Sequence, residues 1–318
     1  MLELAREGGV SLPAEDPDQL ALAMRASHAT DLVDYLRRFE WTLSVMQSAP
    51  ALHRITRELV EDHAAEGVRY VEVRYCPALN TQGDLSLVEA VEAPLQGLSA
   101  GMAATGIQGR IILCGLRNTD PSLSLRIAQV AVDFKDEGVV GFDLAGPEAG
   151  YPAHHHLEAI ELARENGLGV TLHAGEAWGP ESIRDAVERC GAQRIGHGTR
   201  LHEDRELEEI FRTAGIPLEV CLTSNVQTRA VPSLAQHPAG RYVALGIPIT
   251  LCTDNRLISG TTSVDEYWQA HQHLGLGWDE LVRMAREGFR AAFLPESEKS
   301  SLLSAFEAEV RVLNLPSP

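Results

Sequence analysis

Cysteine is scarce and unpatterned in this chain. The five cysteines, Cys76, Cys114, Cys190, Cys221 and Cys252, stand far apart, and no Cys-x-x-Cys pair occurs. An odd, unclustered set argues against a disulfide framework and for a reducing compartment, the cytoplasm. Most of the five lie in or beside apolar runs, where a thiol behaves as a small hydrophobe. Long hydrophobic runs are missing as well. Nothing approaches the ~18 apolar residues of a membrane span, and no leader pattern opens the sequence. Basic residues are outnumbered: 27 Lys and Arg against 45 Asp and Glu give a formal charge of -18. Such a chain is repelled by phosphate backbones and anionic bilayers, so nucleic acid and membranes are set aside as partners. Free nucleosides, bases or other small uncharged molecules fit better. Most of the excess acid reads as solvated surface. No Gly-x-Gly-x-x-Gly fingerprint, phosphate loop, internal repeat, linker or low-complexity tract is present.

What the sequence does have is alternation. Residues 1 to about 66 read as helical, with no convincing strand. Strand-like runs then follow at Val68 to Tyr75, Gly109 to Cys114, Val139 to Leu144, Gly169 to His173, Arg194 to His197, Pro217 to Cys221 and Pro248 to Cys252. Helical segments separate them, at about Ser86 to Ala104, Pro121 to Glu137, Ala153 to Asn166, Pro180 to Arg189, Asp204 to Ala214 and Ser233 to Leu245. Helical stretches at about Ser263 to Phe289 and Glu296 to Val312 close the chain. Strict alternation predicts a parallel sheet with right-handed crossovers, and near-continuous apolar strands predict burial on both faces. A doubly wound sheet and a closed barrel both satisfy this. The polar residues separate them, because they follow nearly every strand rather than one switch point.

The most informative run is Val170-Thr171-Leu172-His173-Ala174-Gly175-Glu176: an apolar strand delivering a histidine at its tip and a carboxylate on the loop beyond. Arg194-Ile195-Gly196-His197-Gly198 and Ile249-Thr250-Leu251-Cys252-Thr253-Asp254-Asn255 end the same way. A lone histidine after an apolar run is more often a core or loop residue than a ligand. Three strand ends in order, carrying His, His and Asp, suggest a metal-dependent hydrolytic site. The triplet His154-His155-His156 reads instead as a surface helical turn.

With Tyr70-Val71-Glu72-Val73-Arg74-Tyr75-Cys76-Pro77, Gly141-Phe142-Asp143-Leu144-Ala145-Gly146-Pro147-Glu148 and Leu218-Glu219-Val220-Cys221-Leu222-Thr223-Ser224-Asn225, these motifs resemble the adenosine deaminase family of metal-dependent amidohydrolases. The similarity runs to about Glu296. The cytidine-type zinc pattern is absent. The resemblance implies a single barrel domain over 1–318, of the TIM-type (β/α)8 class, and one Zn²⁺ per chain. It makes His173 and Asp254 metal ligands and Glu176 the acid that protonates N1 of a purine. His197 would orient the attacking hydroxide, and Asp254 would also accept a proton from the attacking water. The backbone N–H of Gly146 would reach the purine ring, where a Cβ would block the approach. Asn255 stands where many relatives carry an aspartate facing N7; an amide donates there without needing to be protonated. Glu72 and Arg74 flank the barrel interior or its top and read as salt-bridged structural residues rather than catalytic ones. Tyr35, Phe39 and Trp41 read as a buried helix face bordering the pocket, and Ser224 and Asn225 as further lining.

One part of the family pattern is missing. The family opens with a strand carrying His-x-His, which supplies two metal ligands, and a nearby aspartate on the ribose side. Here the first histidine is His28, in a helical region, and His271-Gln272-His273, which matches His-x-His, falls on a late helix where the two rings point to different faces. Seven strand candidates stand where the fold uses eight, so the barrel is expected to lack its first strand in this chain, through a misassigned start or genuine loss, with an open reading frame that starts short of the native one as the leading expectation. Weak metal retention and reduced stability follow as expectations. Hydrolytic deamination of adenosine or 2′-deoxyadenosine is the leading activity. The rivals are a deaminase of a larger 6-aminopurine nucleoside such as aminodeoxyfutalosine, and a purine-binding protein impaired by its missing ligands.

Overall fold

Seven strands, all parallel, curl into an open barrel in sequence order. In the computed structural model, which describes residues 1–313, they are β1 (Tyr70–Tyr75), β2 (Gln108–Leu116), β3 (Val139–Ala145), β4 (Gly169–Ala174), β5 (Arg194–His197), β6 (Leu218–Val220) and β7 (Ile249–Leu251). Each strand bonds to the next. Among the described residues no ladder joins β7 back to β1. This is a TIM-type fold missing one strand, as the count of seven predicts. Between the two free edges opens a groove of about 660 Å³, lined in part by Tyr70, Glu72, Arg74, Arg194, Leu251 and Asp254.

The main core lies between strands and surrounding helices and is built from their apolar runs, such as Ile111, Leu113, Phe142, Leu144, Val170, Leu172 and Ile195. The barrel interior is different. Arg194 pairs with Glu72 and Glu219, each at 2.7 Å, and Arg74 pairs with Glu219 at 2.8 Å and with Asp143 at 3.4 Å. Thr171 and Tyr70 donate hydroxyl hydrogen bonds to Glu219 and Glu72, and the Arg194 guanidinium carbon lies 3.6 Å from the centroid of the Phe293 ring. Every buried charge here has an opposite partner, the condition under which charges persist inside a fold.

Several sequence-based boundaries shift for local reasons. The stretch Ser263 to Phe289 is two helices, Ser263–Leu274 and Trp278–Ala291, because Gly275 takes φ 68° and ends the first while Gly277 begins the second. The segment from Ser233 is a 3₁₀ turn, Leu234–Gln236, followed by the helix Ala239–Leu245; Pro238 separates them. The segment from Pro180 becomes a π-turn at Asp185–Arg189. His28 lies in a turn between the helices Pro17–Met24 and Leu32–Leu36. The histidine triplet is not uniformly superficial. His156 is buried, held by the Ser124 hydroxyl at 2.8 Å and the Arg117 carbonyl at 3.1 Å, while His154 pairs with Asp185. The helical N-terminal region packs a second small core of Leu20, Met24, Tyr35 and Ile258, with Phe39 and Trp41 against it. Among the described residues no helix is long and apolar enough to cross a membrane.

Candidate active site

The strand register sets His173 and His197 side by side. β4 and β5 pair with His173 opposite Gly196 and Ala174 opposite His197, and the two imidazoles lie 5.1 Å apart between centroids. Gly196 is what allows this: a Cβ there would come within 3.3 Å of the His173 Cα and 3.5 Å of its ring. His197 itself has φ 65° and Asp254 has φ 53°, left-handed conformations that side-chain-bearing residues seldom adopt. Two of the four strand-end residues are therefore held in costly backbone states, a pattern concentrated at functional sites.

His173 is oriented from behind. Its Nδ1 lies 3.2 Å from Asp143 Oδ1 and 2.9 Å from Oδ2, and its backbone N–H also reaches Oδ1. Burial alone would raise the Asp143 carboxyl. His173 and the Arg74 guanidinium outweigh that and hold it well below the usual carboxylate range. An ionised carboxylate only accepts, so His173 Nδ1 is the donor in this contact, and Nε2 is the nitrogen that a neutral ring would offer to a metal. Arg117, also buried, donates to the His173 carbonyl.

Glu176 lies on the loop after β4. Its Oε2 is 3.5 Å from His197 Nε2, and its Oε1 accepts from the Thr228 hydroxyl at 2.9 Å. Burial raises its pKa above the ordinary value, and the Asp254 charge adds to this against the opposing pull of the two histidines. The loop that carries it is fixed by Glu148. The Glu148 carboxylate accepts from the consecutive backbone N–H groups of Gly175, Glu176, Ala177 and Trp178, at 2.6, 2.9, 2.6 and 3.2 Å.

Asp254 follows β7 and faces the open groove. It is exposed, and its Oδ2 accepts from the Ser224 hydroxyl at 2.6 Å. Asn255 caps the short helix Arg256–Ser259, its Oδ1 accepting from the Ile258 N–H at 3.0 Å. The cap fixes the amide orientation and leaves the NH₂ group as donor. Gly146 follows β3 at φ 93°, and a Cβ there would approach Asn118 Oδ1 at 3.2 Å. Tyr35 hydrogen-bonds Ser259 at 3.0 Å. Its hydroxyl is pushed far up by burial, with the charges of Asp254 and Glu176 adding to the effect, so the N-terminal helices do border this pocket.

The structure thus brings His173, Glu176 and His197 into one cluster, with Asp254 near enough for its charge to act on Glu176. Gly146 and Asn255 lie on the loops after β3 and β7. His271 and His273 are exposed on the helix Ser263–Leu274. Sequence reasoning gave no role to Asp143, Glu148 or Arg117. The first two lie inside a quoted motif, yet their partners are 30 and 27 residues away. As for a metal, Nε2 of His173 and the carboxylate of Asp254 are suitable donors. Among the described residues no three His, Cys, Asp or Glu side chains gather as a metal-binding group.

Comparisons with known proteins show the family to which the chain belongs. The family model described as Adenosine deaminase matches residues 1–309. The adenosine deaminase of Mycolicibacterium vanbaalenii is 42% identical over 321 residues, covering 95% of this chain and 88% of that protein. The crystal structure of adenine deaminase from Arthrobacter aurescens superposes with a TM-score of 0.90 at 27% identity, covering 97% of this chain and 93% of that one. Arabidopsis ADAL complexed with IMP superposes with a TM-score of 0.84 at 30% identity, covering 96% and 91%. The chain therefore belongs to the adenosine deaminase family of the amidohydrolase superfamily and is a hydrolytic enzyme.

Proposed function

We propose that this deaminase replaces the 6-amino group of adenosine or 2′-deoxyadenosine by oxygen, releasing inosine or 2′-deoxyinosine and ammonia. The observation that carries this reading is Glu176: a buried acid with a raised pKa, 3.5 Å from His197 and on the same rim as His173. A carboxyl whose pKa is raised by burial holds its proton more readily and can give it to N1, which makes C6 electrophilic. The water oxygen then bonds to C6. Asp254 takes one proton from that water. Glu176, ionised after protonating N1, takes the remaining proton from the C6 hydroxyl and hands it to the amino group. The C6–N bond breaks, ammonia leaves behind a C6 carbonyl, and the proton held by Asp254 returns to Glu176. Gly146 offers its backbone N–H to the ring, and the cap-oriented amide of Asn255 offers its NH₂ to N7.

His173 and Asp254 are the residues that would hold a Zn²⁺ ion. Such an ion, when bound, supplies hydroxide at neutral pH by lowering the pKa of a water to about 7. Two protein ligands are one fewer than a catalytic zinc site normally uses, so metal affinity is expected to be weak. The open groove beside Asp254 and this short ligand set favour one second reading, a purine-binding protein impaired in turnover. The single-domain extent, 1–318, and a cytoplasmic location are part of the same proposal.

Ammonia release measured across adenosine, 2′-deoxyadenosine, adenine, AMP and aminodeoxyfutalosine, with added Zn²⁺, tests the reading. Turnover led by the two simple nucleosides supports it. Preference for aminodeoxyfutalosine or for a nucleotide overturns the substrate, and binding without turnover on any of them leaves the impaired-binder reading.

A further inference from the structure

His197 belongs to a buried chain of hydrogen bonds whose direction is fixed at its far end. The chain starts at the backbone N–H of Ala239, which lies 3.1 Å from His237 Nδ1. A backbone N–H can only donate, so His237 Nδ1 is an acceptor and the ring proton of the neutral imidazole sits on Nε2. That Nε2 is 3.1 Å from Asn225 Oδ1 and donates to it. The Asn225 amide is thereby oriented, and its Nδ2 points at His197 Nδ1, 2.9 Å away. An NH₂ group only donates, so His197 Nδ1 must accept. The His197 proton is left on Nε2, the atom that faces Glu176.

The local sequence explains why His237 can start this chain. It precedes Pro238, which disfavours the helical conformation, and it adopts φ -67°, ψ 130° between two helical segments. That extended step turns the ring back so that Nδ1 caps the N–H two residues on. All three side chains are buried, so water does not compete for their hydrogen bonds. Burial also pushes the His237 pKa down to about 3, which keeps the ring neutral.

We infer that His237, through Asn225, is a positioning residue that fixes His197 as the Nε2–H tautomer, so that His197 presents a hydrogen-bond donor to the attacking oxygen rather than a lone pair to a metal. The assignment deepens the deaminase reading and rests on it for its catalytic meaning. Its structural part stands on the hydrogen-bond directions alone. It also removes His197 as a third ligand for the ion that His173 and Asp254 would hold.

The test is long-range ¹H–¹⁵N correlation spectroscopy on the whole zinc-free chain labelled with ¹⁵N-histidine. Spectra are recorded near pH 8, above the ordinary histidine pKa of about 6.5, and His197→Gln and His237→Gln identify the two spin systems. Both rings are expected as Nε2–H tautomers. Asn225→Asp puts an acceptor opposite His197 Nδ1 and is expected to move the proton to Nδ1. It should lower kcat for adenosine by about 10²-fold or more with little change in KM, the signature of a lost transition-state donor. His237→Ala is expected to leave His197 as a mixture of tautomers. A wild-type His197 protonated on Nδ1, or an Asn225→Asp spectrum that still shows Nε2–H, overturns the assignment. Absence of adenosine turnover in the wild type counts against the deaminase reading and leaves the spectrum to decide the tautomer.

Discussion

The Glu148 carboxylate accepts a hydrogen bond from the backbone N–H of Glu176 at 2.9 Å, so one buried acid holds the loop that carries the other. Three neighbouring N–H groups converge on the same carboxylate. Glu148→Gln keeps the size but replaces one acceptor oxygen by an NH₂ that faces N–H donors. The expected result is a loss of about 2 kcal/mol in unfolding free energy, the scale of hydrogen bonds to a charged group. Amide exchange at residues 175–178 should accelerate as well. Unchanged exchange there would remove Glu148 from the positioning of Glu176.

Glu176 makes stability depend on pH in the direction opposite to most carboxylates. Its folded pKa is raised above the unfolded value of about 4.3. The folded state therefore holds the proton more tightly, and the stability this contributes is complete below about pH 4 and lost as pH rises through the raised folded value. Glutamine cannot ionise. Glu176→Gln is expected to unfold at a higher temperature than the parent at pH 7, with the gap narrowing as pH falls towards 4. A gap that widens on acidification would mean that the fold favours the ionised acid.

The charged barrel interior predicts a large penalty for removing one partner. Arg194 compensates both Glu72 and Glu219 at 2.7 Å, and all three are largely buried. Arg194→Met leaves two carboxylates short of a cation. Loss of a buried partner of this kind costs about 3–5 kcal/mol. The exposed pair Arg212–Glu209 is the control, and Arg212→Ala should leave the urea midpoint within error. Equal, small shifts in the two midpoints would show that the interior network contributes no more than surface pairs.

Metal content follows from the donor set. With His173 and Asp254 as the two protein donors, the desalted chain is expected to hold less than one zinc per molecule, and Asp254→Ala to lower that further. Stoichiometric zinc that survives desalting would show that a third side chain joins these two.

Much of this architecture was legible in the sequence, because burial on both faces writes a parallel strand as an apolar run and the run stops where the site begins. β5 matches its expected bounds, and the other strands lie within a residue or two. The helix breaks at Gly275 to Gly277 and at Pro238 were written in breaker residues but masked by helical periodicity on either side. The site was legible where a residue stands at its own strand end, as His173, Glu176, His197 and Asp254 do. It was illegible where the role depends on a contact across the fold. Asp143 behind His173, Glu148 beneath Glu176 and His237 behind Asn225 acquire meaning from partners 30, 28 and 12 residues away. The burial of His156 belongs to the same class, since Ser124 and Arg117 lie on another crossover.

The most direct measurement is ammonia release from adenosine by the wild-type chain and by Glu176→Gln, side by side in saturating Zn²⁺. Wild-type turnover that falls by about 10²–10⁴-fold in the variant, with inosine binding retained, is the expected result. Equal rates from the two proteins, or no release from either, would contradict a proton-transferring Glu176 at the centre of this site.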